Sequence, residues 1–257
     1  MTALKPPAPA RLRRDIPTGQ VLQTAITVAI LFATLFTAFS PSLFSNAHFN
    51  AILTKFMNPQ QAVIAAVPTS EQLRIGIVSG HWGHDSGAVC DNGTTEQQVN
   101  LSIATLVEQK LTALGYQVDL LQEFDPRLNG YQAAVLLSIH NDSCQFINDQ
   151  ATGFKVASAL ASRDPNSSNR LVACIQDRYA RITGLTFHDS VTSDMTQYHA
   201  FNEIDPGTTA AIIEAGFLYK DYNLLTTHQD LVADGIVAGI QCFVNNENIP
   251  LQPTLSP

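Results

Sequence analysis

Three apolar segments of the sequence end in side chains that bind metals or transfer protons. His81 and His140 each follow one such segment, and Glu214 follows the apolar run at residues 209–213. Imidazole and carboxylate groups are common ligands of catalytic zinc and common general acids and bases. Because the reactive crevice of an open parallel sheet lies beyond the carboxyl ends of its strands, we expect these side chains to meet there.

Glu96 is a fourth candidate, because it begins a predicted helix after the loop that continues from His81. A catalytic zinc usually takes three protein ligands and leaves one position for water, and His81, Glu96 and His140 could form this set. Each residue also has a plainer interpretation. Glu96 could complement the helix dipole, His140 could be a hydrogen-bonded core histidine, and Glu214 could be ion-paired. Burying several ionisable side chains without partners is unfavourable in free energy, and a cation bound by all of them would offset this penalty.

Strands and helices alternate in the part of the sequence that must position these residues. Apolar runs predict strands, and helical spacing of apolar residues predicts helices. The predicted strands are 73–79, 117–121, 133–140, 153–157 and 209–215, and the predicted helices are 96–114, 168–183 and 228–245. Asn166, Ser167 and Ser168 are alternative N-caps of the second helix. The pattern predicts an α/β fold: a single domain with a mostly parallel central sheet flanked by helices.

The N-terminal part of the chain has a different composition. Residues 1–19 are predicted to be a basic cytoplasmic tail, and residues 20–39 are apolar and long enough for a transmembrane helix. Basic residues before the helix place the rest of the chain on the extracytoplasmic side of the cell membrane, as a single-pass protein. The alternative is a cleaved signal peptide, which would make the domain secreted. Residues 40–71 are interpreted as a stalk, 72–245 as the catalytic domain and 246–257 as a flexible tail.

The charge of the chain argues against one class of partner. Removing Lys5, Arg11, Arg13 and Arg14 from the net charge of -8 leaves -12 for residues 15–257. Such an acidic domain is a poor surface for nucleic acid. We therefore expect no nucleic-acid partner.

All four cysteines follow the apolar N-terminal segment, in a compartment that we expect to be oxidising. Three pairings are possible. We favour Cys90 with Cys144, because this pair flanks the proposed site, and Cys174 with Cys242, because both lie in predicted helices.

Four sequence blocks resemble a known enzyme family in their residues, order and spacing. They are GHWGHDSGA at 80–88, GTTE at 93–96 followed by Asn100-Leu101, SIH at 138–140 and IEAGF at 213–217. These blocks resemble those of the zinc-dependent N-acetylmuramoyl-L-alanine amidases of the type 3 group. The resemblance covers about residues 73–243.

The resemblance implies a function for each residue of the candidate site. His81, Glu96 and His140 would hold Zn²⁺, and Glu214 would be the catalytic carboxylate. The reaction would be hydrolysis of the amide bond between N-acetylmuramic acid and L-alanine in peptidoglycan. His84 occupies a variable position of the family, so a His81–His84 ligand pair is rejected. The remaining histidines are interpreted as surface or structural residues: His48, His188, His199 and His228. Of these, His188 and His199 could still reach the cleft from their loop.

The sequence also departs from the family in ways that concern specificity. Val78-Ser79 replaces the usual Asp-Pro, Trp82 replaces a small residue, and Lys220 stands where asparagine is usual. Of the arginines common after the second strand, only Arg127 is evident. Two other functions stay open at this point: another exported zinc hydrolase, such as a peptidase or deacetylase, and a catalytically inactive wall-binding domain.

Overall fold

The structure is a computed structural model, and it describes residues 23, 26–28, 30, 72–160 and 162–249. The chain divides into two units, Met1–Thr69 and Ser70–Pro257. In the first unit the described residues are helical. No helix among the described residues is both long and apolar enough to cross a membrane. Most of the transmembrane segment predicted at 20–39 and the stalk at 40–71 lie outside the described residues, as does most of the tail.

The second unit contains a five-stranded sheet, whose strands are β1 Arg74–Ser79, β2 Gln117–Leu121, β3 Val135–Asp142, β4 Lys155–Ser158 and β5 Thr209–Phe217. The strand order is β2-β1-β3-β5-β4. Neighbouring strands are parallel except at one edge, where β4 pairs antiparallel with β5. The central strands are buried and apolar, as expected for strands covered by helices on both faces.

Three long helices accompany the sheet, together with short helical segments. The helices are α1 Glu96–Ala113, α2 Pro165–Thr183, α3 Ser193–Thr196, α4 Ala200–Glu203, α5 Tyr222–Thr227 and α6 Gln229–Val244. A short 3₁₀ helix spans Pro126–Leu128. The apolar spacing of α1 buries Val99, Ile103, Val107 and Leu111 in the main core. Burial of each such aliphatic side chain contributes roughly 2 kcal/mol relative to exposure.

The start of α1 is fixed by a capping box. The Thr95 hydroxyl accepts the backbone N–H of Gln98, and the Gln98 side chain accepts the backbone N–H of Thr95. These reciprocal bonds satisfy two otherwise unpaired donors of the first turn. The cap therefore sets where Glu96, the first residue of α1, stands relative to the sheet.

Two disulfides connect parts of the domain, and both favoured pairings are confirmed. Cys174 in α2 is bonded to Cys242 in α6. Cys90, in the loop before α1, is bonded to Cys144, which follows β3. The first disulfide fastens two packed helices. The second joins the loop that leads to Glu96 with the segment that follows His140.

The predicted α/β domain with a mostly parallel sheet is confirmed, and the predicted strands and long helices occur within a few residues of their expected positions. The expected N-cap of the second helix is wrong. Asp164 is the cap, and its carboxylate accepts the N–H groups of Asn166 and Ser167. Pro165 then occupies the first turn, where its missing N–H costs nothing.

Candidate metal centre

His81 lies on a tight turn that follows β1. Gly80 extends the pairing of β1 with β3 by donating its N–H to the carbonyl of Ile139 at 3.0 Å. His81 then adopts a φ of 64°, in the left-handed region that non-glycine residues seldom occupy. Its carbonyl accepts the N–H groups of His84 and Asp85. The turn therefore reverses the chain at the carboxyl end of the sheet and leaves the His81 ring partly exposed there.

Glu96 is buried at the first turn of α1 and is held by hydrogen bonds to both carboxylate oxygens. Oε2 accepts the N–H of Ala88 at 3.0 Å. Oε1 accepts the side-chain amide of Asn100 at 3.2 Å and the N–H of Asn141 at 3.3 Å. Asn100 also donates to the carbonyl of Gly80 and accepts from the Asn141 side chain. This network fixes Glu96 relative to both histidine-bearing segments.

The structure brings His81, Glu96 and His140 together. Glu96 Oε1 lies 3.2 Å from His81 Nε2 and 3.4 Å from His140 Nδ1. Each residue offers one ligand atom, and the three atoms lie within 4.8 Å of one another. Two imidazole nitrogens and one carboxylate oxygen are a donor set of the catalytic-zinc type. These three residues could therefore hold a metal ion.

Two glycines leave the space that this arrangement needs. A Cβ at Gly80 would lie 2.4–2.5 Å from atoms of the His140 ring. A Cβ at Gly87 would lie 2.6 Å from Glu96 Oε2 and 2.8 Å from His81 Cδ2, and Gly87 also has a φ of 58°. The three ligand-type groups therefore fit together only because these two positions lack side chains.

The charges of the cluster support one another. The contact with Glu96 raises the pKa of His81 to about 9, although burial opposes the shift. Burial alone would raise the pKa of the Glu96 carboxyl, but contacts with His140 and His81 outweigh it and hold that pKa well below its usual range. Glu96 is therefore ionised at neutral pH and attracts cations.

Glu214 lies on β5 directly beside His140, its partner in the parallel register of β3 and β5. Its Oε2 is buried and makes no hydrogen bond within the described part of the chain. Burial raises the pKa of Glu214 to about 7. The nearby His140 lowers this pKa, whereas the negative charges of Glu96 and Asp142 raise it further. Glu214 can therefore exchange a proton near neutral pH.

Two further carboxylates contact the histidines from the side away from Glu96. Asp85 Oδ1 lies 2.6 Å from His81 Nδ1, and Glu123 Oε2 lies 3.5 Å from His140 Nε2. The contacts made by Glu123 and Asn141 were not anticipated from the sequence. For Glu123 a signal existed, because it follows the carboxyl end of β2 as the other site residues follow their strands.

The other histidines take different positions. The His84 side chain is mostly exposed, near Asp85, and is not part of the cluster. His188 contacts Ser190 and does not join the cluster among the described residues. His199 does reach the cleft, where its Nε2 lies 3.0 Å from Glu123 Oε1.

Comparison with protein families gives a match over most of the domain. Residues 75–242 match the profile of the N-acetylmuramoyl-L-alanine amidase family. The chain belongs to this family. The enzyme is accordingly an amidase that hydrolyses the bond between N-acetylmuramic acid and L-alanine in peptidoglycan. A comparison with curated protein sequences gave no match.

Solved amidase structures share the fold of this amidase. The N-acetylmuramoyl-L-alanine amidase from Clostridium difficile 630 superposes with a TM-score of 0.56 at 21% identity, covering 70% of this chain and 100% of that one. The CwlD amidase from Clostridioides difficile, solved in complex with the GerS lipoprotein, gives a TM-score of 0.54 at 23% identity, covering 68% and 100%. Ami1 from Mycobacterium smegmatis gives 0.54 at 17% identity, covering 68% and 98%.

Proposed function

We propose that His81, Glu96 and His140 hold a zinc ion in this amidase and that Glu214 is its general acid and base. One observation carries the proposal: three ligand-type groups converge within 4.8 Å, next to Glu214 on the neighbouring strand, whose Oε2 is buried and has no hydrogen bond among the described residues. The donor set suits catalytic zinc, and three protein ligands leave a coordination position open.

The chemistry requires activation of both reactants, because an amide carbonyl is a weak electrophile and water is a weak nucleophile. A zinc ion held by His81, Glu96 and His140 would supply Lewis-acid chemistry, which would polarise the carbonyl and lower the pKa of a bound water to about 7. The Glu214 carboxylate accepts the proton of the attacking water. As the bond between the carbonyl carbon and the nitrogen breaks, the same carboxyl group donates this proton to the nitrogen of the leaving L-alanine, and Glu214 returns to its ionised form.

The pKa values of the two glutamates suit this division of roles. A pKa of about 7 allows Glu214 to accept a proton and to return it within one cycle near neutral pH. Glu96 has a pKa far below that range, so it stays ionised and available as a ligand. If the two roles were exchanged, Glu96 would be a proton carrier that stays ionised near neutral pH and so cannot take up the proton of water. Glu214 would be a metal ligand that is about half protonated at pH 7.

We propose that this amidase, whose substrate is peptidoglycan, acts outside the cytoplasm. The uncharged apolar segment at 20–39 would anchor the protein in the cell membrane, with the catalytic domain on the extracytoplasmic side. Two disulfides in the domain support an oxidising compartment. Extraction of cell membranes with alkaline carbonate tests the anchor: an anchored protein stays with the membrane, and release of a chain lacking its first residues favours a cleaved signal peptide.

The reaction is tested by digesting purified peptidoglycan with the full-length protein and analysing the products by mass spectrometry. We expect stem peptides with a free L-alanine amino group, loss of their release with a zinc chelator, and recovery when zinc is added back. Cleavage between two amino acids or release of acetate would favour another zinc hydrolase. Activity that persists in chelator would contradict the metal site, and the absence of any product from zinc-loaded protein would favour a wall-binding domain.

A further inference from the structure

Glu123 is a buried carboxylate with several partners and no assigned role. It lies in the loop after β2 with only 6% of its surface exposed. An isolated charge at such a position would be strongly unfavourable, so its contacts must repay the loss of hydration. Those contacts lead to both histidines of the proposed metal site.

The ring of His140 is the first of these contacts. Its Nδ1 faces Glu96 at 3.4 Å, whereas its Nε2 lies 3.5 Å from Glu123 Oε2. Nε2 is buried and has no hydrogen bond among the described residues. A neutral imidazole that binds a metal through Nδ1 must carry its proton on Nε2. Glu123 then stands where the acceptor for that proton is needed.

The backbone of His81 is the second contact. Its N–H donates to Glu123 Oε2 at 2.6 Å. His81 has a φ of 64°, a strained conformation for a residue with a side chain, and such a conformation persists only when its surroundings hold it. A hydrogen bond to a charged acceptor is among the stronger bonds available to do so. One carboxylate oxygen therefore contacts both histidine segments.

The other oxygen of Glu123 is held from the opposite side. Glu123 Oε1 accepts the hydroxyl of Tyr198 at 2.9 Å and lies 3.0 Å from His199 Nε2. His199 Nδ1 in turn lies 2.8 Å from Glu203 Oε1. The segment that carries α3 and α4 thus fixes the orientation of the Glu123 carboxylate.

We infer that Glu123 is a positioning residue that orients both histidine ligands, through the ring of His140 and through the backbone of His81. The inference rests on the proposed metal site. Carboxylates that accept the free N–H of a metal-binding histidine commonly fix its tautomer and raise its affinity for the metal. Asp85 holds the corresponding nitrogen of His81 but is largely exposed, so Glu123 is the partner that also shapes the buried part of the site.

The test measures zinc affinity of the full-length protein by competition with a chromophoric chelator. Glu123→Gln is expected to bind zinc about 10–100-fold more weakly, the usual scale for loss of such a partner. Asp125→Asn is the matched control, because Asp125 is a buried carboxylate of the same loop that bonds Arg127 and contacts neither histidine. Its zinc affinity should equal that of the parent, and thermal unfolding of both variants reports whether they fold.

The outcomes separate this inference from the proposed function. If the parent binds no zinc, both are wrong. If the parent binds zinc and Glu123→Gln binds it equally well, only the positioning role is wrong. Equal weakening by Asp125→Asn would show that integrity of the loop matters rather than contact with the histidines, which also overturns the role.

A second measurement needs no variant. Nitrogen-15 NMR of the histidine rings in the zinc-loaded parent should show His140 with its proton on Nε2, protected from exchange with solvent. An unprotonated Nε2 would overturn the inference, because Glu123 would then have no proton to accept.

Discussion

Glu96 and Glu214 are two carboxylates in the same cleft, and their surroundings are opposite. Glu96 accepts three N–H groups, from Ala88, Asn100 and Asn141, and contacts both histidines. Its pKa lies far below the usual range. Glu214 Oε2 is buried without a hydrogen bond among the described residues, and burial raises the pKa of Glu214 to about 7.

This difference teaches how one site divides labour between chemically identical groups. Hydrogen-bond donors stabilise the charged carboxylate, whereas desolvation stabilises the neutral acid. A carboxylate rich in donors keeps its charge and suits a metal ligand. One without donors shares its proton near neutral pH and suits acid–base catalysis. In the proposed mechanism, the surroundings of each glutamate rather than the residue type assign the two roles.

The largest expected effect comes from removing the proton carrier. Glu214→Gln keeps the shape of the side chain but cannot accept the proton of water. Release of stem peptides from peptidoglycan should slow about 10²–10⁴-fold, the usual contribution of general acid–base catalysis. Initial rates by mass spectrometry at saturating zinc measure the effect, and an unchanged rate would remove Glu214 from the mechanism.

The proposed role of His140 as a metal ligand is tested by filling the space beside its ring. In Gly80→Ala the new Cβ would lie 2.4–2.5 Å from the ring, which must move. Zinc affinity should fall about tenfold or more, because the ligand loses its orientation. Gly207→Ala is the control, since its Cβ would meet only Asp205 Oδ1, at 3.0 Å. Isothermal titration with zinc that gives equal affinities for both variants would contradict the account.

The two disulfides allow the stability of the domain and the geometry of the metal site to be tested separately. Replacing Cys90 and Cys144 by serine frees the loop before Glu96, whereas replacing Cys174 and Cys242 frees two helices away from the ligands. Each double variant should lose about 2–4 kcal/mol of unfolding free energy. Only the first should also bind zinc more weakly. Denaturant unfolding measures the stability of both variants, and zinc titration measures their zinc affinity. An equal loss of zinc affinity in the two double variants would contradict the prediction.

The smallest effect is a pH dependence with opposite signs at the two glutamates. The raised pKa of Glu214 stabilises the folded protein at low pH, and this contribution is lost as the pH rises from about 4.5 to about 7. The lowered pKa of Glu96 contributes stability above about 4.5 that is lost only as the pH falls below that value. Between pH 5 and 8, metal-free parent should therefore lose more unfolding free energy than metal-free Glu214→Gln. Equal losses in urea titrations would contradict the raised pKa.

Much of the domain could be predicted because its elements carry strong local signals. Apolar runs predict the buried strands, and the spacing around Val99 and Ile103 predicts α1. The two histidines and Glu214 could be found because they follow strands whose carboxyl ends meet. The short helices α3 and α4 are single turns, which are too short for a hydrophobic period.

The parts that were missed depend on contacts between distant segments. Asp164 caps α2 although three nearby residues are equally good candidates by type. The role of Glu123 depends on the turn at His81 and on Tyr198, 75 residues away. The metal ligands and the membrane anchor stay predictions.

The most direct test compares the zinc content of Glu96→Gln and Glu214→Gln, purified as full-length proteins and measured by elemental mass spectrometry. Glu96→Gln should lose zinc and activity together. Glu214→Gln should keep one zinc ion per chain while losing activity. Stoichiometric zinc in Glu96→Gln, or loss of zinc in Glu214→Gln, would contradict the division between ligand and proton carrier.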